Sequence, residues 1–297
     1  MLCGALSVID MSILSLENVS YTYSRGTPFE KKALNNVSLT LPEAKMIGLI
    51  GHTGSGKSTL VQLLNGIHKP DEGRILLDGK DIWEKPKEIN KIRFHVGLVF
   101  QYPEYQLFEE TVAKDIAFGP HNMNLSEEEI SRRVSEAAAF CGVGEDLLEK
   151  SPFDLSGGQK RRAAIAGVLA MDPEILILDE PAAGLDPMGR EEILGRIWSY
   201  QRQKKSTVII VSHSMEDMAS YCDDLIVMNQ SELYMTGSCA EIFSKGRELE
   251  KIGLTIPQIT KFLIELRSMG IEINSHLFTV EAAREELKKY YSQRIHK

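Results

Sequence analysis

The chain has 297 residues, 43% of them hydrophobic, enough to bury the core of one large domain or of one domain with a small appendage. Its formal net charge of −8 argues against a protein that grips nucleic-acid phosphates, which usually carries a basic stripe. No run approaches the ~18 apolar residues needed to cross a bilayer, and Cys3, Cys141, Cys222 and Cys239 lack the paired spacing of zinc or redox sites, so they read as reduced thiols of a cytosolic protein.

The first ten residues are mildly apolar but have no basic start and end at Asp10, so they do not read as a signal peptide. Met11 competes with Met1 as the true start, because the patterned sequence begins just after it. Residues 13–50 alternate and turn like an antiparallel β-region, with strands at Ile13–Val19 and Val37–Leu41 and a polar loop at 24–32. Met46–Ile50 is an apolar run that predicts a buried parallel strand. The octapeptide Gly51-His52-Thr53-Gly54-Ser55-Gly56-Lys57-Ser58 follows it and fits G-x-x-x-x-G-K-[ST]. A helix is expected next, over Thr59–Asn65, ending at Gly66. Strand, glycine-rich turn and helix are the context this motif needs. The glycines let successive N–H groups point inward at phosphates, and the helix N-terminus adds partial positive charge. Gly51 through Thr59 are therefore candidate ATP contacts, with Lys57 reaching the β- and γ-phosphates and Ser58 a ligand for Mg²⁺.

Gly73–Gly79 is a short strand-turn unit and Val96–Phe100 another buried strand. The character then changes. Ser126-Glu127-Glu128-Glu129 has the form of a capping box, and Ile130, Val134, Ala137, Ala138 and Cys141 share one helix face. Residues ~102–170 thus read as a mostly helical insertion in an α/β core. Within it, Leu155-Ser156-Gly157-Gly158-Gln159 opens a helix, so that backbone N–H groups and a hydroxyl form a second anion cradle. The core resumes with Ile175–Leu178, whose end delivers Asp179 and Glu180. With a phosphate loop upstream, Asp179 is the second metal ligand and Glu180 the general base for an attacking water. Thr207–Val211 and Leu225–Met228 complete the pattern of a parallel sheet covered on both faces. Beyond about residue 240 the chain turns charged and helical, with a helix start at Leu254–Pro257 and an amphipathic helix over 281–297.

The order of these motifs over residues ~13–240 resembles an ATP-binding-cassette transporter ATPase. The resemblance implies an α/β fold, a phosphate-loop NTPase core of ATP-binding-cassette type with an antiparallel β-subdomain, the helical subdomain at about 102–170 and a small C-terminal helical extension over 241–297. It implies ATP and Mg²⁺ as cofactors. Tyr23 resembles the residue that stacks on adenine, with Tyr21 competing for that role. Gln101 resembles the Q-loop glutamine that senses γ-phosphate and Mg²⁺, Asp186 lies in a Gly184-Leu185-Asp186 D-loop and also suits a helix cap, and His213 resembles the switch histidine. One phosphate loop and one Ser156–Gln159 element in a chain suggest a site completed by a second cassette subunit.

A narrower likeness lies in Phe100–Val112, Ala117–Pro120, Gly157–Gly167 and Gly253–Pro257, which are similar to ATPases of energy-coupling factor transporters, more to the second of the paired subunits. Ala182 departs from that group, where threonine is commoner. This likeness implies a peripheral subunit on the cytoplasmic face of a bacterial membrane, with a paralogous ATPase, a transmembrane scaffold and a small substrate-binding membrane protein as partners, and no nucleic acid. Vitamins or other micronutrients are the expected cargo, a cobalt or nickel importer the nearest competitor. A repair ATPase would carry a long coiled coil between Lys57 and Ser156, but the roughly one hundred residues there show no sustained heptads. A translation-type protein usually holds two cassettes in tandem. Glu104, Glu109 and Glu110 follow Gln101 and are either exposed surface or part of a groove for an arginine-bearing coupling helix. The charged tail is either a solvated helix or a dimerisation element.

Overall fold

Short apolar runs that end at polar turns build the central sheet of the protein. The computed structural model describes residues 12–295, so the choice between Met1 and Met11 lies outside the described residues. β1 (Ser12–Tyr23) and β2 (Lys31–Pro42) pair antiparallel and precede β3 (Met46–Ile50), the strand that feeds the phosphate loop. α1 (Lys57–Leu64) begins inside the octapeptide, two residues earlier than the sequence predicts. β4 (Glu72–Leu77) and β5 (Lys80–Asp81) complete a four-stranded antiparallel sheet in the order β2-β1-β4-β5. β1 outruns its predicted end because a bulge around Asn18, whose φ is 51°, shifts the register and lets the alternation resume through Tyr21 and Tyr23.

The second sheet is formed by β6 (Val96–Val99), β7 (Ile175–Asp179), β8 (Thr207–Val211), β9 (Asp224–Asn229) and β10 (Glu232–Ser238) together with β3, in the order β10-β9-β3-β8-β7-β6. All neighbours are parallel except β10, which returns antiparallel along β9. The period of two puts alternate side chains into different cores. Leu176, Leu178, Val208 and Ile210 face the helices, whereas Ile175, Ile177, Ile209 and Val211 face the antiparallel sheet. Each such fully buried side chain contributes about 1.5–3 kcal/mol. β10 escapes a reading by apolar runs because it is a half-exposed edge strand with alternating Leu233 and Met235.

The chain forms α2 (Ile89–His95) just before β6 and, between β6 and β7, α3 (Val112–Asn122), α4 (Glu127–Cys141), α5 (Glu145–Leu148) and α6 (Gly157–Leu169). Ser126 caps α4 by accepting from the Glu129 N–H at 3.3 Å, but the expected reciprocal half is missing. Glu129 instead receives Arg132 and Arg133, whose charge-assisted bonds outcompete a backbone N–H and hold its carboxyl low, at about 2. Complete capping boxes occur instead at Ser156 with Gln159 and at Ser238 with Glu241. α7 (Pro187–Lys204) and α8 (Met215–Tyr221) connect β7, β8 and β9.

After β10 come α9 (Cys239–Ser244) and α10 (Gly246–Lys251), which join the main core through Ile242, Phe243 and Leu249. α11 (Gln258–Ser268) and α12 (Val280–Ile295) enclose a small core of their own around Leu263, Ile273 and Ala283. The last helix therefore packs through Ala283, Leu287 and Tyr290 and presents Tyr291 to solvent. Among the described residues no helix is long and apolar enough to cross a membrane.

Candidate functional site

Parallel strands deliver their C-terminal ends to one edge of the sheet, and the candidate residues collect there because β3, β7 and β8 are adjacent. At the end of β3 the octapeptide turns tightly into α1. Gly56 has φ 103°, and a Cβ there would sit 2.5 Å from the Ala33 carbonyl, so no other residue fits. Lys57 is buried, and its ammonium donates to the Gly51 and His52 carbonyls at 2.7 and 3.2 Å. Burial pulls its pKa down, while Glu180 and Asp179 partly restore it. Ser55 is fully buried and its hydroxyl has no partner. Thr53, Gly54 and Ser58 are exposed, whereas the Thr59 side chain is buried.

A cleft of about 130 Å³ lies over the loop, lined by Tyr23, Lys31, Ala33, Gly54, Gly56 and Lys57 to Thr59. Tyr23 stands at its mouth, with its hydroxyl 3.3 Å from Thr59 Oγ1. Tyr21 packs edge-on against Tyr23 but does not line the cleft; it stacks on His68 with ring centroids 4.9 Å apart and meets His68 Nδ1 at 3.2 Å. His52 also turns from the cleft, its Nε2 lying 3.1 Å from Asn229 Oδ1.

At the end of β7, Asp179 is half-buried and hydrogen-bonded to the Ser58 side chain, and burial raises its pKa. Glu180 follows in the left-handed region with φ 51°, a strained position for a non-glycine residue. Its N–H donates to the Val211 carbonyl at 3.0 Å, which fixes it against the end of β8. Burial first, and the Asp179 carboxylate second, push its carboxyl up to about 7. Its Oε1 is buried without a hydrogen-bond partner, 3.6 Å from His213 Nε2. A carboxylate poised near neutrality with a free acceptor atom is suited to take a proton from water. His213 is held below its ordinary pKa by burial and by Lys57, so it stands neutral beside the pair.

Gln101 lies two residues past the end of β6, the strand that pairs with β7, and its side chain is exposed. Asp186 caps α7, accepting from the Gly189 N–H at 2.7 Å, and sits in an exposed turn. Ser156 caps α6 by accepting from the Gln159 N–H at 3.4 Å, and the Gln159 side chain returns to the Ser156 N–H at 2.9 Å. Beside Gly157 a Cβ would meet nothing within 4 Å, so this helix start is open to the outside. Leu155 differs from its neighbours: its side chain is buried in the main core and anchors the helix start instead of facing out.

The model of the family described as ABC transporter matches residues 34–183. The energy-coupling factor transporter ATP-binding protein EcfA2 of Clostridium acetobutylicum is 54% identical over 92% of this chain and 96% of its own length. Its namesake in Caldanaerobacter subterraneus is 53% identical over 93% of this chain and 97% of its own. The chain belongs to the ABC transporter family, among the energy-coupling factor ATP-binding proteins. It is an ATP-binding and ATP-hydrolysing subunit of that transporter class. Among solved structures, cbiO1 from Clostridium perfringens, described as part of the ABC transporter complex cbiONQ, superposes with a TM-score of 0.71 at 42% identity, covering 81% of this chain and 94% of cbiO1. The ATP-binding cassette MJ0796, a dimer bound to ADP and Pi, gives a TM-score of 0.68 at 29% identity, covering 76% of this chain and 98% of its own.

The cassette contains functional neighbours that the sequence reading missed. The β9–β10 turn braces the phosphate loop from behind: Ser231 donates its N–H to the Ser55 carbonyl at 3.2 Å, and Asn229 meets His52. The polar Asn229-Gln230-Ser231 turn after an apolar run was the available signal. Lys31, placed by the sequence in a polar loop, lines the cleft. Of the acidic trio after Gln101, one member is engaged within the chain. Glu104 is not a free groove carboxylate, because Arg161 grips it in a two-pronged ion pair at 2.9 and 3.2 Å. Glu110 is exposed and bonds to Lys114, one helical turn on.

Proposed function

We propose that the cassette hydrolyses Mg·ATP at the interface between two cassette subunits and so drives uptake of a vitamin or another micronutrient through membrane partners. The carrying observation is Glu180, a strained, half-buried carboxyl with a free oxygen beside the phosphate loop. ATP phosphates would lie in the cradle of Gly51 to Thr59 and draw the Lys57 ammonium from the Gly51 and His52 carbonyls. Tyr23 would stack on the base at the mouth of the cleft. Glu180 would accept the proton of the attacking water, with His213 orienting the γ-phosphate side. The Ser58 hydroxyl and the Asp179 carboxylate are hard oxygen donors, already paired with each other, and fit magnesium with Gln101 as a further ligand. Magnesium, when bound, neutralises charge on the β- and γ-phosphate oxygens.

Two observations support the shared site. The cleft of about 130 Å³ is small for a nucleotide, since small-molecule pockets usually enclose about 300–1,000 Å³. The open face at Ser156–Gly158, and the exposed turn at Asp186, are free to cover a partner's nucleotide. The expected result is complementation. Where the chain pairs with itself, Lys57→Ala and Ser156→Arg copies are each inactive, and mixing them in equal amounts restores up to about a quarter of the wild-type turnover, because about half of the dimers are mixed and each of these has one of its two sites with both halves intact. Persistent inactivity of well-folded mixed dimers would refute the shared site. With a paralogous partner, the same two substitutions are placed on the two subunits.

The partners we propose are a second cassette ATPase, a transmembrane scaffold and a small substrate-binding membrane protein, with this subunit peripheral on the cytoplasmic face. Support comes from the segment after Gln101, where Tyr102, Tyr105, Phe108 and Phe118 are all exposed and form two ring pairs. Aromatic groups exposed together mark protein-binding surface. Tyr105→Ser with Phe108→Ser should cut co-purification with the membrane subunits at least tenfold and leave ATP affinity unchanged. Unaltered assembly and uptake would place the docking surface elsewhere. The relatives lend no better support to a cobalt or nickel importer.

A further inference from the structure

Arg161 lies on α6 and is only 4% exposed. Its guanidinium holds two other segments at once. Nε and Nη2 donate to the two Glu104 oxygens at 3.2 and 2.9 Å. Nη1 donates to the Ala183 carbonyl at 2.5 Å and to the Pro181 carbonyl at 3.4 Å. Glu104 belongs to the 3₁₀ turn Pro103–Gln106, just past Gln101 and flanked by the exposed rings of Tyr102 and Tyr105. Pro181 and Ala183 belong to the loop that leaves Glu180. The turn after Gln101, the helix that starts at Ser156 and the loop carrying Glu180 are thus joined by one side chain.

The chemistry of the joint explains why it transmits displacement. A buried guanidinium left without its carboxylate is an uncompensated charge, so Arg161 follows Glu104 when the turn moves. Its planar fork fixes direction as well as distance, and lysine cannot satisfy the carboxylate and the carbonyls together. Both carbonyls it holds lie within three residues of Glu180, which itself has no side-chain anchor at Oε1.

We propose that Arg161 is a positioning residue for hydrolysis: through the Glu104 ion pair it sets the Glu180 loop according to the place of the 103–106 turn, so that seating of a membrane partner on that turn is felt at Glu180. The inference rests on the reading of Glu180 as the base. It gives the exposed segment a physical route to the chemistry that does not pass through bound nucleotide.

The test uses the assembled transporter purified from membranes. ATP affinity, kcat and melting temperature are measured for Glu104→Gln, Arg161→Lys and their double substitution, and for a Glu104→Leu/Arg161→Met pair that replaces the ions by apolar packing. The expected result is a kcat at least tenfold lower in each single variant, ATP affinity within twofold of wild type, and a double variant no worse than the worse single one. The apolar pair should recover the melting temperature and stay slow. Wild-type kcat in both single variants, losses that multiply in the double, or full recovery of kcat with the apolar pair would each overturn the proposal. Glu180→Gln, run in parallel, separates the two ideas: turnover in that variant removes the base itself, whereas its inactivity beside wild-type behaviour at 104 and 161 removes only the positioning role.

Discussion

Glu180→Gln is expected to bind ATP with wild-type affinity and to lose about 10²–10⁴-fold in kcat, the usual contribution of a general base. The amide keeps the shape of the side chain and its place against β8, because the fixing bond runs from the backbone N–H to the Val211 carbonyl. What it loses is the ability to take a proton. Burial and Asp179 raise the Glu180 carboxyl to about 7, so at neutral pH the wild-type group exchanges protons readily, and no amide can. Affinity is spared because the phosphate cradle is built from backbone N–H groups and Lys57. Single-turnover hydrolysis and equilibrium binding of a fluorescent ATP analogue decide the matter. A variant hydrolysing within a few-fold of wild type would move the base to another residue, with His213 the next candidate at 3.6 Å.

Lys57→Ala is expected to act on binding instead. The ammonium is buried and already largely desolvated, so little further dehydration opposes its transfer to phosphate oxygens. Two charge-assisted bonds at about 1.5–3 kcal/mol each correspond to a loss of roughly 10²–10⁴-fold in ATP affinity. The fold should survive, because β3 and α1, which flank the loop, keep their buried apolar side chains in the core. Calorimetric titration with ATP, paired with a melting curve in its absence, separates the two effects. Unchanged affinity in a folded variant would remove the phosphate-loop assignment.

Lys57 could be proposed from eight consecutive residues between an apolar run and a helix. Asp179 and Glu180 needed one further inference, that an apolar run ending in two carboxylates would neighbour the phosphate loop, and the β7-β8-β3 order brings them there. The Ser126 capping box failed on chemistry the local pattern hides, since Arg132 and Arg133 compete for Glu129 from the next turn of the same helix. β10 was illegible for another reason. Edge strands bury one face incompletely, so Leu233 and Met235 stand between polar residues without forming an apolar run.

The sequence by itself determined the class of chemistry, because a phosphate loop, its helix start and its strand are contiguous and owe their geometry to short-range backbone forces. It determined the alternation of strands and helices for the same reason, through periods of two and 3.6 that need no knowledge of distant residues. Only the tertiary structure decided which of Tyr21 and Tyr23 lies over the loop, since both alternate from one strand and His68 engages the first. It alone brought Asn229 to His52 across 177 positions and Arg161 to Glu104 across 57. Contacts of that separation leave no local pattern. They depend on which strands become neighbours, and that is fixed by burial of the whole sheet rather than by any single segment.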